Sequence, residues 1–278
     1  MPTRGAARRH ATETLRYVGV PTPALDADVL LAYVLGVVKE ALVAHPEIEL
    51  SSAEAERFAA VVAERASGVP VAYLRGVKEF YGLWFFVDGR VLVPRPETET
   101  LVDAARARAA GRALTVVDLG TGSGAIAVAL AVSEPRLRVI ATDVSADALA
   151  VARANAAANG ASIDFREGDL LAPVTGRVDI VAANLPYLRD EDLEQVAGDR
   201  VSLAFEPRIA TAAGADGLAL LRRAIADLPR VLAPDGAAFF ECDPPQVAAL
   251  TALLGPIGSV DVIKDLAGLD RVVAVRRP

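Results

Sequence analysis

Hydrophobic residues in the N-terminal part of the chain recur at the spacing of an α-helix. Two sets show this spacing: Val29, Leu30, Tyr33 and Val34, and then Phe58, Val61 and Val62. Residues three or four apart share one face of a helix, so the pattern predicts amphipathic helices. Residues 1–76 are therefore expected to form a small helical domain.

The pattern changes after Glu79 to FYGLWFFVDGRVLV, which is rich in aromatic and β-branched residues. Such residues favour strands. The stretch contains Asp88 and Gly89, a dipeptide that a type I′ turn prefers. We expect a β-hairpin linker over residues 77–95, with its turn at this dipeptide.

Short apolar runs then alternate with longer helical patterns, which predicts an α/β domain over residues 96–278. Seven runs read as strands: LTVVDLG, LRVIATD, SIDFREG, VDIVAAN, AAFFECD, VDVIKD and RVVAVRR. Strands that alternate with helices form a mostly parallel sheet covered on both faces. The last two runs are close together, which favours an antiparallel finish.

Composition narrows the class of protein. The longest apolar run, residues 125–132, is too short to cross a bilayer, and Arg4, Arg8 and Arg9 are followed by no apolar core of a secretory signal. A cytoplasmic protein without membrane contact is expected. One cysteine, Cys242, and two separated histidines leave little for a metal centre. The net charge of -7 disfavours stable nucleic-acid binding.

A glycine-rich loop follows the first strand of the α/β region, in VVDLGTGSGAIAVAL. Gly120, Gly122 and Gly124, with Thr121 and Ser123 between them, let the backbone approach a ligand at the carboxyl end of that strand. The same spacing satisfies the dinucleotide fingerprint. The loop alone therefore leaves nicotinamide and S-adenosylmethionine cofactors open.

Acidic residues follow the next two strands. Asp143 ends the second strand, where a carboxylate can accept hydrogen bonds from the ribose hydroxyls of an adenosine, or can cap a helix. Asp169 and Leu170 follow the third strand. There, Asp169 could accept from the adenine amine or cap a helix, and Leu170 could pack on the ring. These positions predict a cofactor site.

The fourth strand ends in an unusual polar and rigid cluster, Asn184, Leu185, Pro186 and Tyr187. The Asn184 side-chain carbonyl and the Leu185 backbone carbonyl can accept the two hydrogens of one planar NH2 group. Pro186 restricts Leu185 to an extended conformation, and Tyr187 offers a flat face for stacking. An ordinary turn after a strand is the alternative.

Two acceptors directed at one nitrogen suit transfer of a group to that nitrogen. An amide or aromatic amine is a poor nucleophile, and acceptors on its hydrogens favour the charge that develops during attack. A dehydrogenase has no use for such a cluster. The cluster therefore favours S-adenosylmethionine as the cofactor, while an amide and an adenine amine both remain open as acceptors of the methyl group.

At this point the chain resembles the HemK/PrmC protein N5-glutamine methyltransferases over nearly its whole length. Four segments carry the resemblance: YLRGVKEFYGLWFFVDGRVLVPRPETETLVD, DLGTGSGAIA, EPRIATAAGADGLALLRRAI and KDLAGLDRVVAVRR. The resemblance implies a helical substrate-recognition domain, a hairpin linker and a seven-stranded Rossmann-like class I methyltransferase domain. It also implies methylation, with S-adenosyl-L-methionine, of the glutamine in the Gly-Gly-Gln motif of class 1 peptide chain release factors.

By position, the resemblance assigns cofactor contacts to residues 120–124, Asp143, Leu170 and Asn184, and substrate contacts to residues 184–187. Arg95 would brace the linker against the active site. Glu241 stands where the family commonly has an acid, although it could be a simple strand-end carboxylate.

Two departures from the family pattern leave alternatives open. Leu185 replaces the first proline of the usual Asn-Pro-Pro-Tyr, and Leu266 and Leu269 replace an aromatic and a small polar residue in the final loop. Asn-Leu-Pro-Tyr also resembles the motif of ribosomal RNA adenine dimethyltransferases. Adenine methylation of RNA or DNA, glutamine methylation of a ribosomal protein, and a catalytically silent docking module therefore stand beside the release-factor hypothesis.

Overall fold

The computed structural model describes residues 1–194 and 198–278, and these divide into two compact units. The helical unit holds residues 1–77 together with the described part of 195–205, and the sheet unit holds residues 78–194 and 206–278. Within the described residues, no helix combines the length and the apolar character needed to cross a membrane.

The helical unit confirms the helices expected from the sequence. They are α1 (Arg4–Tyr17), α2 (Pro23–Leu35), α3 (Lys39–Ala44), α4 (Ser52–Ala66) and α5 (Val71–Arg75), with a 3₁₀ segment at Gly198–Phe205. A capping box between Ser51 and Glu54 begins α4. Arg65 pairs at 2.7 Å with the buried Asp26 of α2 and donates to the Ser202 hydroxyl at 3.1 Å. These contacts tie the 3₁₀ segment to the helices of its own unit.

The hairpin is present, but the sequence-based position of its turn is wrong. Strands β1 (Val77–Phe80) and β2 (Leu83–Phe86) are joined by Tyr81 and Gly82, whose φ angles of 54° and 71° are those of a type I′ turn. At Phe86 the side chain of Asn155 bonds both the backbone N–H and the backbone carbonyl, at 2.7 and 3.0 Å. These bonds occupy the groups that would extend the strand towards Asp88.

The sheet unit contains the seven predicted strands. They are β3 (Thr115–Leu119), β4 (Arg138–Asp143), β5 (Ile163–Glu167), β6 (Val178–Ala183), β7 (Leu232–Glu241), β8 (Ser259–Lys264) and β9 (Asp270–Arg276). Their order is β5-β4-β3-β6-β7-β9-β8. In this sheet β9 runs antiparallel to its neighbours β7 and β8, which confirms the predicted antiparallel finish.

Helices cover both faces of this sheet. They are α6 (Glu99–Ala109), α7 (Ala125–Ser133), α8 (Ala146–Ala158), α10 (Ala219–Val231) and α11 (Val247–Leu254). The short α9 (Asp190–Glu194) and 3₁₀ turns at Pro96–Thr98, Arg208–Ala210 and Pro244–Gln246 lie in the connections. Successive residues of β3 enter different cores: Val116 packs in the core with α6 and α7, and Val117 in the core with α10 and α11.

Burial on both faces leaves the strand ends as the positions for polar groups. After β3 the chain proceeds to β4 and β5, then crosses back to β6 on the other side of β3. This reversal of strand order opens a crevice at the carboxyl ends of β3 and β6, which is where open α/β sheets bind ligands. Both motifs singled out in the sequence follow these two strands.

Candidate active site

A cavity of about 410 Å³ lies at this edge of the sheet unit. Most of the residues predicted for the site line it: Gly120, Thr121, Gly122, Ser123, Asp143, Asp169, Leu170, Asn184, Leu185 and Pro186. Cavities of this size hold ligands of the size of a cofactor. The structure therefore brings the glycine loop and residues 184–186 of the Asn-Leu-Pro-Tyr turn to the wall of one cavity.

The glycines of the loop have different local roles. Gly120 and Gly122 adopt positive φ angles of 70° and 55° and line the cavity. A Cβ on Gly120 would come within 2.9 Å of the Leu185 side chain, whereas around Gly122 the space is open. Gly124 is outside the described lining, and a Cβ there would come within 3.1 Å of the Ala152 Cβ on α8. Gly124 thus permits close packing of α7 on α8.

A buried carboxylate beneath the loop holds its shape. Asp118 Oδ2 accepts hydrogen bonds from the Thr121 hydroxyl at 2.6 Å and from the Ala127 backbone N–H at 3.1 Å. Within the described residues, Asp118 Oδ1 has no hydrogen-bond partner. Burial raises the pKa of Asp118 to about 7, although both hydrogen bonds act to lower it. These hydrogen bonds therefore hold the loop and the start of α7 against the end of β3.

Asp143 connects the loop to the second strand. Its Oδ2 accepts from the Gly122 backbone N–H and its Oδ1 from the Ser145 backbone N–H, each at 2.9 Å. Ser145, and not Asp143, caps α8, since the Ser145 side chain accepts from the Ala148 N–H. Each carboxylate oxygen retains a further lone pair. Asp143 is half-buried at the cavity wall and can present these lone pairs to a ligand.

Asp169 and Leu170 form the neighbouring part of the wall. Leu170 has a positive φ of 48°, and its carbonyl accepts from the Thr142 hydroxyl at 3.1 Å. The Asp169 carboxylate pairs with Arg223 of α10, and both side chains are about half exposed. The Asp169 side chain therefore forms an ion pair with Arg223, which also lines the cavity, and does not cap a helix.

The amide of Asn184 bonds Thr98, which also lines the cavity. Its Nδ2 donates to the Thr98 hydroxyl oxygen at 3.0 Å. The bond occupies the NH2 end of the side chain, so the carbonyl Oδ1 is the end that remains for a ligand. Among the described residues, no hydrogen bond reaches Oδ1. This is the orientation in which Asn184 can accept a hydrogen from a substrate.

Leu185 packs in the core and also lies in the cavity lining. Only 3% of its surface is exposed, and it belongs to the core shared with α10 and α11. Its side chain also abuts Gly120 of the glycine loop. A leucine at this position thus fills apolar space next to Pro186, which lines the cavity as well.

Tyr187 lies behind the cavity wall. It is half-buried, and it is absent from the described lining. Burial is the main cause that raises the pKa of its hydroxyl, and the nearby Glu241 adds to the effect. Its backbone carbonyl accepts from Gln246 Nε2 at 2.8 Å. These contacts immobilise the end of the turn.

Arg95 also lines the cavity and is held by a buried acid. Its Nη2 donates to Glu206 Oε1 at 2.6 Å, and the Glu206 side chain is fully buried. Burial raises the pKa of Glu206, and Arg95 acts to lower it. The ion pair therefore holds Arg95 at the cavity wall. The role that the family resemblance implies for Arg95, bracing the linker against the active site, stays a prediction.

Known proteins resemble this chain along its whole length. A release factor glutamine methyltransferase of Xylella fastidiosa is 42% identical, with the match covering 100% of this chain and 99% of that protein. The enzyme of the same name from Deinococcus radiodurans is 37% identical over 96% of both chains. This chain belongs to the release factor glutamine methyltransferase family. The PrmC N-terminal domain family matches residues 6–76, and the methyltransferase small domain family matches residues 96–204.

Solved structures share the fold. The hMettl16 catalytic domain, solved with a MAT2A 3′UTR hairpin, aligns with a TM-score of 0.57 at 17% identity, covering 83% of each chain. A T. thermophilus 16S rRNA N2 G1207 methyltransferase, solved with AdoMet and guanosine, aligns with a TM-score of 0.53 at 18% identity, covering 73% of this chain and 50% of that one. At these identities the likeness concerns the methyltransferase fold alone.

Sequence reasoning missed several residues of this release factor glutamine methyltransferase family member. Thr98, Asp118, Glu206, Arg223 and Gln246 all hold or line the site. Asp118 could have been noticed, because a carboxylate in the middle of VVDLG is costly unless it is bonded. The other four contact residues that are far away in the chain, and their local sequence gives no such signal.

Proposed function

We propose that this protein transfers a methyl group from S-adenosyl-L-methionine to the side-chain amide nitrogen of the glutamine in the Gly-Gly-Gln motif of class 1 release factors. The observation that carries the proposal is the orientation of Asn184, whose NH2 end is bonded to Thr98 so that its carbonyl is left for an N–H donor. The near full-length relatives favour glutamine as that donor.

The cavity fits the cofactor. Gly122 has open space where a Cβ would stand, so the loop backbone can approach a ligand closely. Asp143 has lone pairs available for two ribose hydroxyls, Leu170 can pack on the adenine, and Asp169 can accept from its amine. Residues 120–124 would contact the rest of the cofactor, with Gly124 acting through helix packing.

When bound, the cofactor supplies an activated methyl group on a sulfonium. The residues of the turn then have to position a weak nucleophile. Asn184 Oδ1 and the Leu185 carbonyl accept the two N–H groups of the amide, which favours the positive charge that develops on nitrogen as the N–C bond forms. As this bond forms, the bond between the methyl carbon and the sulfonium sulfur would break and leave a neutral thioether, and one of the amide hydrogens would pass to solvent as a proton. In-line attack depends mainly on alignment, so Pro186 contributes by fixing the direction of the Leu185 carbonyl.

The predicted stacking face of Tyr187 remains part of the proposal, although Tyr187 lies behind the wall. We also propose that the helical domain, residues 1–76, recognises the release factor, with residues 77–95 as the linker and 96–278 as the methyltransferase domain. Action in translation termination in the cytoplasm follows from the same proposal.

Adenine methylation of RNA or DNA is the second candidate, because the same two acceptors could hold an adenine amine. The relatives named as glutamine methyltransferases match the helical region as well as the methyltransferase domain, which favours the protein substrate. The net charge of -7 also disfavours extended contact with phosphates. A ribosomal protein substrate and a silent docking module receive no such support.

The test is methyl transfer from labelled S-adenosylmethionine to purified class 1 release factor. A release factor with Gln→Ala in the Gly-Gly-Gln loop is the matched control, and deproteinised RNA is the competing substrate. We expect label on the intact loop only. Label on RNA would establish the second candidate, and label on neither would refute the proposed activity.

A further inference from the structure

Asn155 of α8 is a buried amide that bonds two other segments of the sheet unit, and 0% of its surface is exposed. Its Oδ1 accepts from the Phe86 backbone N–H at 2.7 Å, and its Nδ2 donates to the carbonyls of Phe86 at 3.0 Å and Ser123 at 2.8 Å. The Phe86 N–H is a donor and must face Oδ1, so the two carbonyls take both hydrogens of Nδ2. One side chain thus joins the end of β2 to the glycine loop.

In the glycine loop, the bond from Asn155 fixes the peptide between Ser123 and Gly124. The Ser123 carbonyl accepts from Asn155, while the Gly124 N–H donates to the Thr121 carbonyl at 2.8 Å. The peptide is therefore held at both its oxygen and its nitrogen. Because Ser123 lines the cavity, the orientation of this peptide is part of the surface that a ligand meets.

At its other end, Asn155 holds the chain that leads into a second part of the cavity lining. Phe86 is the last residue of β2, and residues 90–92, which follow shortly after it, all line the cavity. The chain between them is a tight turn, since the Asp88 carbonyl accepts from the Val91 N–H at 3.1 Å and the Asp88 carboxylate from the Arg90 N–H at 3.0 Å. A displacement of Phe86 would therefore displace residues 90–92 as well.

We propose that Asn155 is a positioning residue of the cofactor site, which holds Ser123 and residues 90–92 in the arrangement that binds S-adenosylmethionine. The inference rests on the cofactor of the proposed function, and it adds a residue that lies outside the described lining. It also couples the hairpin to the cofactor. If the contact with β2 favours cofactor binding, the bound cofactor must stabilise that contact by the same free energy.

The first test is the dissociation constant for S-adenosylmethionine in full-length Asn155→Leu, measured by titration calorimetry at a temperature where the variant is folded. Leucine has a similar size but leaves the Ser123 carbonyl without its donor. The loop peptide then has to be ordered when the cofactor binds, which weakens binding. We expect the dissociation constant to rise about 10-fold, the scale expected when a buried acceptor loses its donor.

Two further variants of α8 separate this effect from simple destabilisation. Val151→Ala leaves space at a side chain that is 3% exposed, so it lowers the melting temperature without removing a hydrogen bond of Asn155. Asn159→Ala removes a 2.9 Å bond to the Trp84 carbonyl of the hairpin, and this bond does not involve the loop. Both should bind S-adenosylmethionine with the wild-type dissociation constant. Wild-type affinity in Asn155→Leu, or an equal loss of affinity in Val151→Ala, would overturn the inference.

The second test begins with the wild-type protein and follows hydrogen exchange at the Phe86 backbone N–H, with and without saturating S-adenosylmethionine. Exchange there requires the bond to Asn155 to open. We expect the cofactor to slow this exchange about 10-fold in the wild type and in Val151→Ala, because the coupling is reciprocal, but not in Asn155→Leu.

Unchanged exchange at Phe86 in the wild type would overturn the inference even if Asn155→Leu does not fold. Slowing of the same size in Asn155→Leu as in the wild type would also overturn it. If the wild-type protein itself does not bind S-adenosylmethionine, the proposed function fails instead.

Discussion

Two polar segments meet at the carboxyl edge of the sheet, and both rest on a buried carboxylate. Asp118 lies beneath the glycine loop and Glu241 beneath the Asn-Leu-Pro-Tyr turn. Burial raises the pKa of each to about 7. Each carboxylate also has one oxygen without a hydrogen-bond partner among the described residues, Asp118 Oδ1 and Glu241 Oε2. The two segments thus lie over similar buried acids.

The two segments differ in how far apart along the chain their hydrogen-bonded residues are. Asp118 bonds Thr121 and Ala127, three and nine residues away. The Asn-Leu-Pro-Tyr turn is instead held by Thr98, which bonds Asn184 from 86 residues away, and by Gln246, which bonds the Tyr187 carbonyl from 59 residues away. The cofactor loop is therefore mainly a local structure, whereas the substrate turn is completed only when distant strands assemble. Substitutions in the two segments should accordingly change different quantities.

The largest effect is expected for Asn184→Ala. Removing a preorganised polar group that acts on the developing charge typically lowers kcat about 10²-fold to 10³-fold. The affinity for S-adenosylmethionine should fall much less, because Asp143 and the glycine loop remain. Radiometric kinetics and calorimetric cofactor titration measure the two quantities. Asn159→Ala, the same change at the end of α8, should behave as the wild type, and a fully active Asn184→Ala would contradict the role of the turn.

Asp143→Ala should mainly weaken the binding of S-adenosylmethionine. The substitution removes the acceptor of the Gly122 and Ser145 N–H groups and of the proposed ribose hydroxyls. Hydrogen bonds to a charged group are worth about 1.5–3 kcal/mol, so the dissociation constant for S-adenosylmethionine should rise about 10-fold to 100-fold. Asp147→Ala, at an exposed position of α8, is the matched control. Unchanged cofactor affinity in Asp143→Ala would place the ribose elsewhere.

Asp118→Asn should alter the pH dependence of stability. The pKa of Asp118 rises from 3.8 to about 7 on folding because the carboxyl is buried. Between these values the unfolded state holds fewer protons than the folded state, so this group makes the free energy of unfolding fall as pH rises, up to about pH 7. Asparagine removes that contribution.

Urea unfolding at pH 5, 6, 7 and 8 would measure the change. We expect the free energy of unfolding to change less with pH for Asp118→Asn than for the wild type. Glu241→Gln should flatten the same range, since burial also raises the pKa of Glu241 to about 7. Equal pH profiles for wild type and Asp118→Asn would show that Asp118 is ionised in the folded protein.

The smallest effect is expected for Arg223→Ala. Arg223 pairs with Asp169, but both side chains are about half exposed. Exposed ion pairs contribute only about 0.2–1 kcal/mol, so stability and cofactor affinity should change by no more than about fivefold in the corresponding equilibrium constants. Arg222→Ala, which breaks the neighbouring pair with Asp216, is the matched control. A much larger loss of cofactor affinity in Arg223→Ala alone would give Arg223 a direct role in binding.

The contrast between local contacts in the glycine loop and distant contacts in the turn also explains which features the sequence could predict. The seven strands, the glycine loop and Asp143 were all readable, because strand periodicity and a turn between a strand and a helix are local patterns. The hairpin turn was misplaced because Asp88 and Gly89 have the preferred composition, while a contact from Asn155 ends β2 before them. Thr98 could not be related to Asn184, because the two residues are 86 positions apart and meet only in the folded sheet unit.

The most direct test of the central claim is NMR of a release factor whose glutamine side chains carry ¹⁵N, before and after incubation with this protein and S-adenosylmethionine. We predict that one pair of side-chain NH2 signals, that of the Gly-Gly-Gln motif, is replaced by a single N–H signal coupled to a methyl group. An unchanged set of side-chain NH2 signals, with the methyl group found elsewhere, would contradict transfer to the amide nitrogen.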